Sequence, residues 1–209
     1  FWVTNPNNIV ENNAVAGGTH FGYWYRMLRT PDGPSYAMYP NYCPYRRPFG
    51  RFYNNSVHSV GRFGVWIFPE YSPTVAGSCW NDAPYQGVFD RLISWKNARG
   101  FEWVMSSSIQ IRNTIVFDND DTGLRCVTAI NHQATNLPNL RATFYDENTG
   151  SSVINSIVIG DLGVSPSPIV PNEGGLVGKF IDGIRFELNI QFDFSYVGSW
   201  SSCTKCIIF

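Results

Sequence analysis

Few residues in this chain have types and spacings that could do chemistry. His58 closes the run Asn54-Asn55-Ser56-Val57-His58-Ser59. As a general base it needs a carboxylate within hydrogen-bond reach. As a structural residue it needs only a neighbouring turn, and the structural role is the one expected. Asp118-Asn119-Asp120-Asp121-Thr122-Gly123 has the acidic spacing that opens a calcium loop. An EF-hand requires Glu at its twelfth place, and that place holds Ala129. Asp118, Asp120 and Asp121 are therefore candidates only for calcium held in a turn, set against the plainer expectation of a solvated acidic turn. No other cofactor is indicated. Glycoside hydrolysis takes two carboxylates facing one cleft, and Glu70, Asp82, Asp90 and Glu102 are available. A lyase would pair calcium with a basic group such as Arg91, Arg99 or Arg112. No constellation of either kind stands out, so no catalytic set is assigned.

The cysteines number five: Cys43, Cys79, Cys126, Cys203 and Cys206. Cys43 and Cys79 lie in long loops and are the first disulfide candidates. Cys203-Thr204-Lys205-Cys206 has the CxxC spacing, but zinc would need two further ligands and the histidines are only His20, His58 and His132. A thioredoxin-type role would need a following helix. Disulfides in an oxidising compartment, with one cysteine left over, are expected. Asn54-Asn55-Ser56 is the one N-glycosylation sequon; Asn54 can carry a glycan only if it points outward.

These residues sit in a repeat. Val10 to Trp24 lies over Phe52 to Trp66 without a gap, 42 positions on, matching the Asn-Asn pair, a Val, the Phe-Gly pair and the Trp. Fainter copies begin at Phe89, Thr114, Ser156 and Ile190. Each reads as short β-branched or aromatic strands broken by Asn and Gly, and no window sustains a helical period. The fold expected is all-β, a right-handed parallel β-helix with long loop insertions, in which stacking coils bury a face that one coil cannot bury alone. Asn12, Asn13, Asn54 and Asn55 should form a corner ladder of side-chain amides. Val15, Val57 and Ile93 should pile in one column, and Gly22, Gly64, Gly100 and Gly123 should sit where a Cβ would clash. Insertions run over 26–50, 70–86 and 160–178; loops this long are usually functional or partner-binding, with covering the coil as the alternative.

The length of 209 residues reads as a single β-helix segment, 1–209. Aromatic content of 16% and charge of 15% suit a buried strand-rich core. A net charge of −1 indicates no basic face for nucleic acid, and no apolar run reaches membrane-spanning length. The chain opens at Phe1 and ends at Phe209 in strand-like sequence. It is expected to be a piece of a larger extracellular protein, contacting other segments of that protein or copies of itself end to end.

Phe1-Trp2-Val3-Thr4-Asn5-Pro6-Asn7-Asn8, then Asn12 to Gly18, Phe21-Gly22-Tyr23-Trp24, Gly33-Pro34-Ser35 and Phe49 to Pro73 resemble the β-helix of the fibrocystin and fibrocystin-L family. They are also similar to the related region of the cell-migration-inducing hyaluronan-binding protein and the transmembrane hyaluronidase. The resemblance is specific over 1–73, extends to about 126, and beyond that rests on pattern, with Trp200 and the two cysteines after it. It implies a pectin-lyase-like β-helix in a large membrane-anchored glycoprotein of the cell surface, in some members ciliary. Hyaluronan depolymerisation belongs to one branch; the fibrocystin branch has no settled activity. The function expected is non-catalytic adhesion, spacing or assembly. The alternative is a module that binds or degrades hyaluronan or another polysaccharide, with a glycosaminoglycan as partner.

Overall fold

The computed structural model describes residues 1–80, 82–129 and 151–159, together with the backbone of strands at 176–180, 185–186 and 191–192. Among the described residues every pair of strands is parallel, and the one antiparallel contact is an isolated bridge between Thr74 and Pro84 in the loops. The strands fall into a six-stranded and a ten-stranded sheet. The larger sheet is creased, so that each coil has three walls. The first wall carries Ile9–Glu11, the start of Arg51–Val60, the start of Gly87–Trp95, Ile109–Arg112, Ser152–Ile154 and Arg185–Phe186. The second carries Ala14–Gly18, the remainders of Arg51–Val60 and Gly87–Trp95, then Ile115–Phe117, Ile157–Val158 and Gln191–Phe192. The third is the six-stranded sheet: Trp2–Val3, Phe21–Tyr25, Phe63–Ile67, Arg99–Trp103, Thr122–Ala129 and Leu176–Phe180. Coils of parallel strands in register are the arrangement of a β-helix.

Parallel stacking at one residue per level turns sequence alternation into columns. Facing in are Phe52, Phe89, Ile111 and Val153 on the first wall; Val57, Ser94, Val116 and Val158 on the second; and Tyr23, Val65, Phe101 and Leu124 on the third. All are buried, and together they make one continuous core. Val15 pairs with Val57, but Ile93 does not join them. It pairs with Ser56 and Ile115 and faces out, 41% exposed. The third coil has one residue fewer between its second and third walls, so Ser94 takes the inward place. Leu92 and Ile93 are adjacent apolar residues, and alternation alone does not decide which of them faces in.

In the described coils the first corner is one residue in the left-handed region: Asn12, Asn54, Arg91, Asn113 and Asn155, with φ from 45 to 56°. Asn tolerates this conformation better than most residues. The ladder expected there exists in two pieces. Asn54 Nδ2 donates to Asn12 Oδ1 at 2.8 Å and Asn155 Nδ2 to Asn113 Oδ1 at 2.7 Å. Inside it, the Asn13 backbone N–H donates to Asn55 Oδ1 at 3.0 Å, while Asn55 Nδ2 donates to the Val10 carbonyl at 2.8 Å. The third coil breaks both rows with Arg91 and Leu92. Arg91→Asn should therefore raise stability by about 1 kcal/mol, from relief of the left-handed strain and a completed amide row. Tyr53 loses the Arg91 guanidinium at 5.1 Å but keeps Arg51 at 4.6 Å. A urea midpoint unchanged or lowered would count against this ladder.

The second corner carries Gly17, Ser59, Lys96 and Asp118, all at positive φ, and a second amide ladder that the sequence did not announce. Asn119 Oδ1 accepts from both the backbone and side-chain N–H of Asn97, each at 3.1 Å, and Asn97 Oδ1 accepts from the Val60 N–H at 3.1 Å.

Candidate functional site

His58 lies on the outer face of the second wall. Its Nδ1 sits 3.0 Å from Ser59 Oγ. Its ring stacks on Trp95 at 4.5 Å, and Trp95 stacks in turn over Phe117 at 5.9 Å. Among the described residues no carboxylate pairs with it, so the geometry that a general base needs is not assembled. His20 stands at the level of Arg62, one place before the Phe21–Phe63 pair, and does not stack with His58.

The acidic residues are spread over different settings. Glu70, buried, holds Arg29 through Nε at 2.6 Å. Asp82 accepts the backbone N–H groups of Ala76 and Ser78 at 2.9 and 3.1 Å. Asp90 binds Arg112 at 3.2 Å and Asn113 Nδ2 at 2.8 Å. Glu102, 4% exposed on the third wall, takes Arg99 at 2.9 Å, Arg125 at 3.6 Å and Trp66 Nε1 at 3.1 Å. Asp121 is engaged by Arg99 as well. Asp118 occupies the second corner at φ 51°, and its carbonyl accepts from the Lys96 N–H at 2.8 Å. Asn119, next in the supposed calcium loop, is spent on the amide ladder. Among the described residues no three metal-ligating side chains converge. The free thiol of Cys126 is buried, and burial pushes its pKa up, away from the thiolate that a nucleophile needs.

What the structure does assemble lies between the third wall and the loops leaving it. Trp2, Trp24 and Trp66 stack down the outer face at 5.1 and 5.3 Å; the 42-residue repeat already aligned the last two. Arg26 lies over both Trp2 and Trp24, at 5.8 and 5.9 Å, and pairs with Asp32 at 2.7 Å. Arg26 and Asp32 also line a groove of about 350 Å³, closed by Asn5, Ser35, Tyr39 and Tyr42. Pro34 opens a short helix, Pro34–Met38, inside this loop, a local departure from the strand-only expectation. Cys43 and Cys79 are disulfide-bonded, which ties the 26–50 loop to the 70–86 loop. Phe49 plugs the first loop into the core against Phe89 at 4.6 Å. Both loops leave from the end of the third wall, so they share one flank, and Tyr36, Met38, Tyr39 and Trp80 are exposed on it. His132, Trp200, Cys203 and Cys206 lie outside the described residues, as does most of the 160–178 insertion.

With these stacked coils and their Asn corner established, comparison with known proteins becomes specific. Residues 1–65 match the CEMIP beta-helix family model. The likeness to the fibrocystin-L group read from the opening residues holds. The CEMIP beta-helix match runs from the first coil through the 26–50 insertion and Arg51–Val60 to the start of Phe63–Ile67, and so includes both Asn pairs. Fibrocystin-L of Homo sapiens is 51% identical over 124 residues, covering 59% of this chain and 3% of that protein. Fibrocystin-L of Mus musculus is 40% identical over 185 residues, 88% of this chain and 4% of its own length. The cell migration-inducing and hyaluronan-binding protein of Homo sapiens is 30% identical over 191 residues, 84% of this chain and 14% of its own. The chain thus spans a small fraction of each of these relatives.

Proposed function

We propose that this chain is a non-catalytic β-helix segment of a cell-surface protein, right-handed and pectin-lyase-like in its winding, that works in adhesion, spacing or assembly. The observation that carries the proposal is that, among the described residues, the candidate catalytic side chains are taken up by contacts along and between the coils. His58 is an aromatic stacking element, and Glu102, Asp121 and Asp90 are bonded to arginines of their own or neighbouring coils. The groups left for a partner are the aromatic residues of the disulfide-tied loop flank. An extracellular setting agrees with that disulfide and with the cell-surface hyaluronidase and fibrocystin-L among the similar proteins.

A second function is favoured by the groove. Tyr39 and Tyr42 line it with aromatic surface for sugar rings, and Arg26 and Asp32 offer polar contacts beside them, a few polar groups set among aromatic side chains as in a ligand-contact surface. Incubation with labelled hyaluronan, with and without calcium, separates the possibilities. The expected result is no shortening of the polymer under either condition. Retention of intact polymer that is lost in Tyr42→Ala supports the second function, and chain shortening abolished by His58→Ala would overturn the first.

A further inference from the structure

The two Asn residues at the first corner have opposite fates. Asn55 is 2% exposed, and both ends of its amide are bonded to the preceding coil. Asn54 sits at φ 52° on the outer side of the bend and is exposed. The left-handed backbone turns its side chain out of the coil, where Nδ2 meets Asn12 Oδ1 at 2.8 Å. Ser56 completes the sequon one place past the buried Asn55, so strand alternation puts it on the outer face, where it pairs in register with the outward Ile93. The accessible amide of the pair is thus the one followed by a hydroxyl two residues on. The flank is also open. In the described coils the first corner is a single-residue bend at Asn12, Asn54, Arg91, Asn113 and Asn155, whereas the 26–50 and 70–86 loops leave from the end of the third wall.

We infer that Asn54 carries an N-linked glycan. In its attachment the C1–O bond of a polyprenyl-diphosphate-linked oligosaccharide breaks, and the diphosphate leaves with the electron pair. C1 bonds to Asn54 Nδ2, which gives up one proton. The substituted amide keeps one N–H, and the contact with Asn12 needs one donor, so ladder and glycan are compatible. A glycan there shields the crease between the first and second walls and leaves the loop flank as the uncovered face. The inference rests on the extracellular setting proposed above, because the donor is presented in the secretory lumen.

The test is translation of the whole chain behind an attached signal sequence in the presence of microsomes. Protease protection reports that the chain has reached the lumen, and sensitivity to peptide-N-glycosidase reports the glycan. One mass step is expected on protected wild-type chain, absent in Asn54→Gln and in Ser56→Ala and kept in Ser56→Thr. Ser56→Ala leaves Asn54 in the ladder, so loss of the step there does not come from a broken corner. Protected wild-type chain with no step, or a step that survives Asn54→Gln, overturns the inference. The extracellular setting fails separately, if a membrane-impermeant label does not reach the native protein on intact cells.

Discussion

Phe89→Ala lowers stability by about 3–5 kcal/mol, the range for emptying a fully buried aromatic site. Phe89 is the hub of the core. Its ring meets Tyr25 at 5.2 Å, Phe49 at 4.6 Å, Phe52 at 5.1 Å and Phe101 at 5.0 Å. It therefore joins the first wall, the third wall and the inserted loop. The walls around this hub are fixed by their strand pairing and can close only partly over the gap, which argues for the upper part of the range. Phe49→Ala reports the same contact from the loop side, and the double variant should cost less than the two single losses combined. Urea unfolding of the three variants checks this. A loss below about 1.5 kcal/mol for Phe89→Ala would be small for any buried aromatic and would mean that the ring is not enclosed.

Gly64→Ala costs about 3 kcal/mol, near the top of the usual overpacking range. A Cβ at Gly64 would stand 2.4 Å from the Gly100 carbonyl oxygen and 2.6 Å from Ser94 Oγ. The first of these is backbone of the next coil, held by its own wall and unable to turn aside. Gly100 is placed in the same way, 2.5 Å from the Gly123 carbonyl oxygen. Gly17→Ala is the matched control. Nothing lies within 4 Å of its added Cβ, but its φ is +78°, so only the left-handed cost of about 1 kcal/mol applies. Equal denaturation midpoints for the two variants would refute the close approach of the coils at Gly64.

The coil architecture was legible because its repeat is written in residues that serve the stack. Trp24 and Trp66, the two Asn pairs and the glycines each occupy one structural level in successive coils. The alignment failed where a coil changes length. Ile93 kept the seven-residue interval to Gly100 that Val57 keeps to Gly64, yet the loss of one turn residue after Ser94 moved the register by one and turned Ile93 outward. Asn97 and Asn119 escaped notice because their 22-residue spacing belongs to the short coil, not to the 42-residue repeat. The same spacing links Arg112 to Asp90 and would have exposed the second ladder. The groove was out of reach altogether. Tyr39, Tyr42 and Arg26 meet Asn5 only after an inserted loop folds back along the wall, and no periodicity encodes that return.

Successive coils take 42, 37, 22 and 42 residues to return to the same corner, Asn12 to Asn54 to Arg91 to Asn113 to Asn155, while every wall stays in register. Across the first two intervals the spare length leaves at one vertex of the triangular cross-section. That vertex can gain or lose sequence without disturbing the load-carrying walls, so novelty in such a solenoid should accumulate along a single seam. The Cys43–Cys79 bridge then stitches neighbouring excursions of the seam into one surface, larger than either coil could display alone.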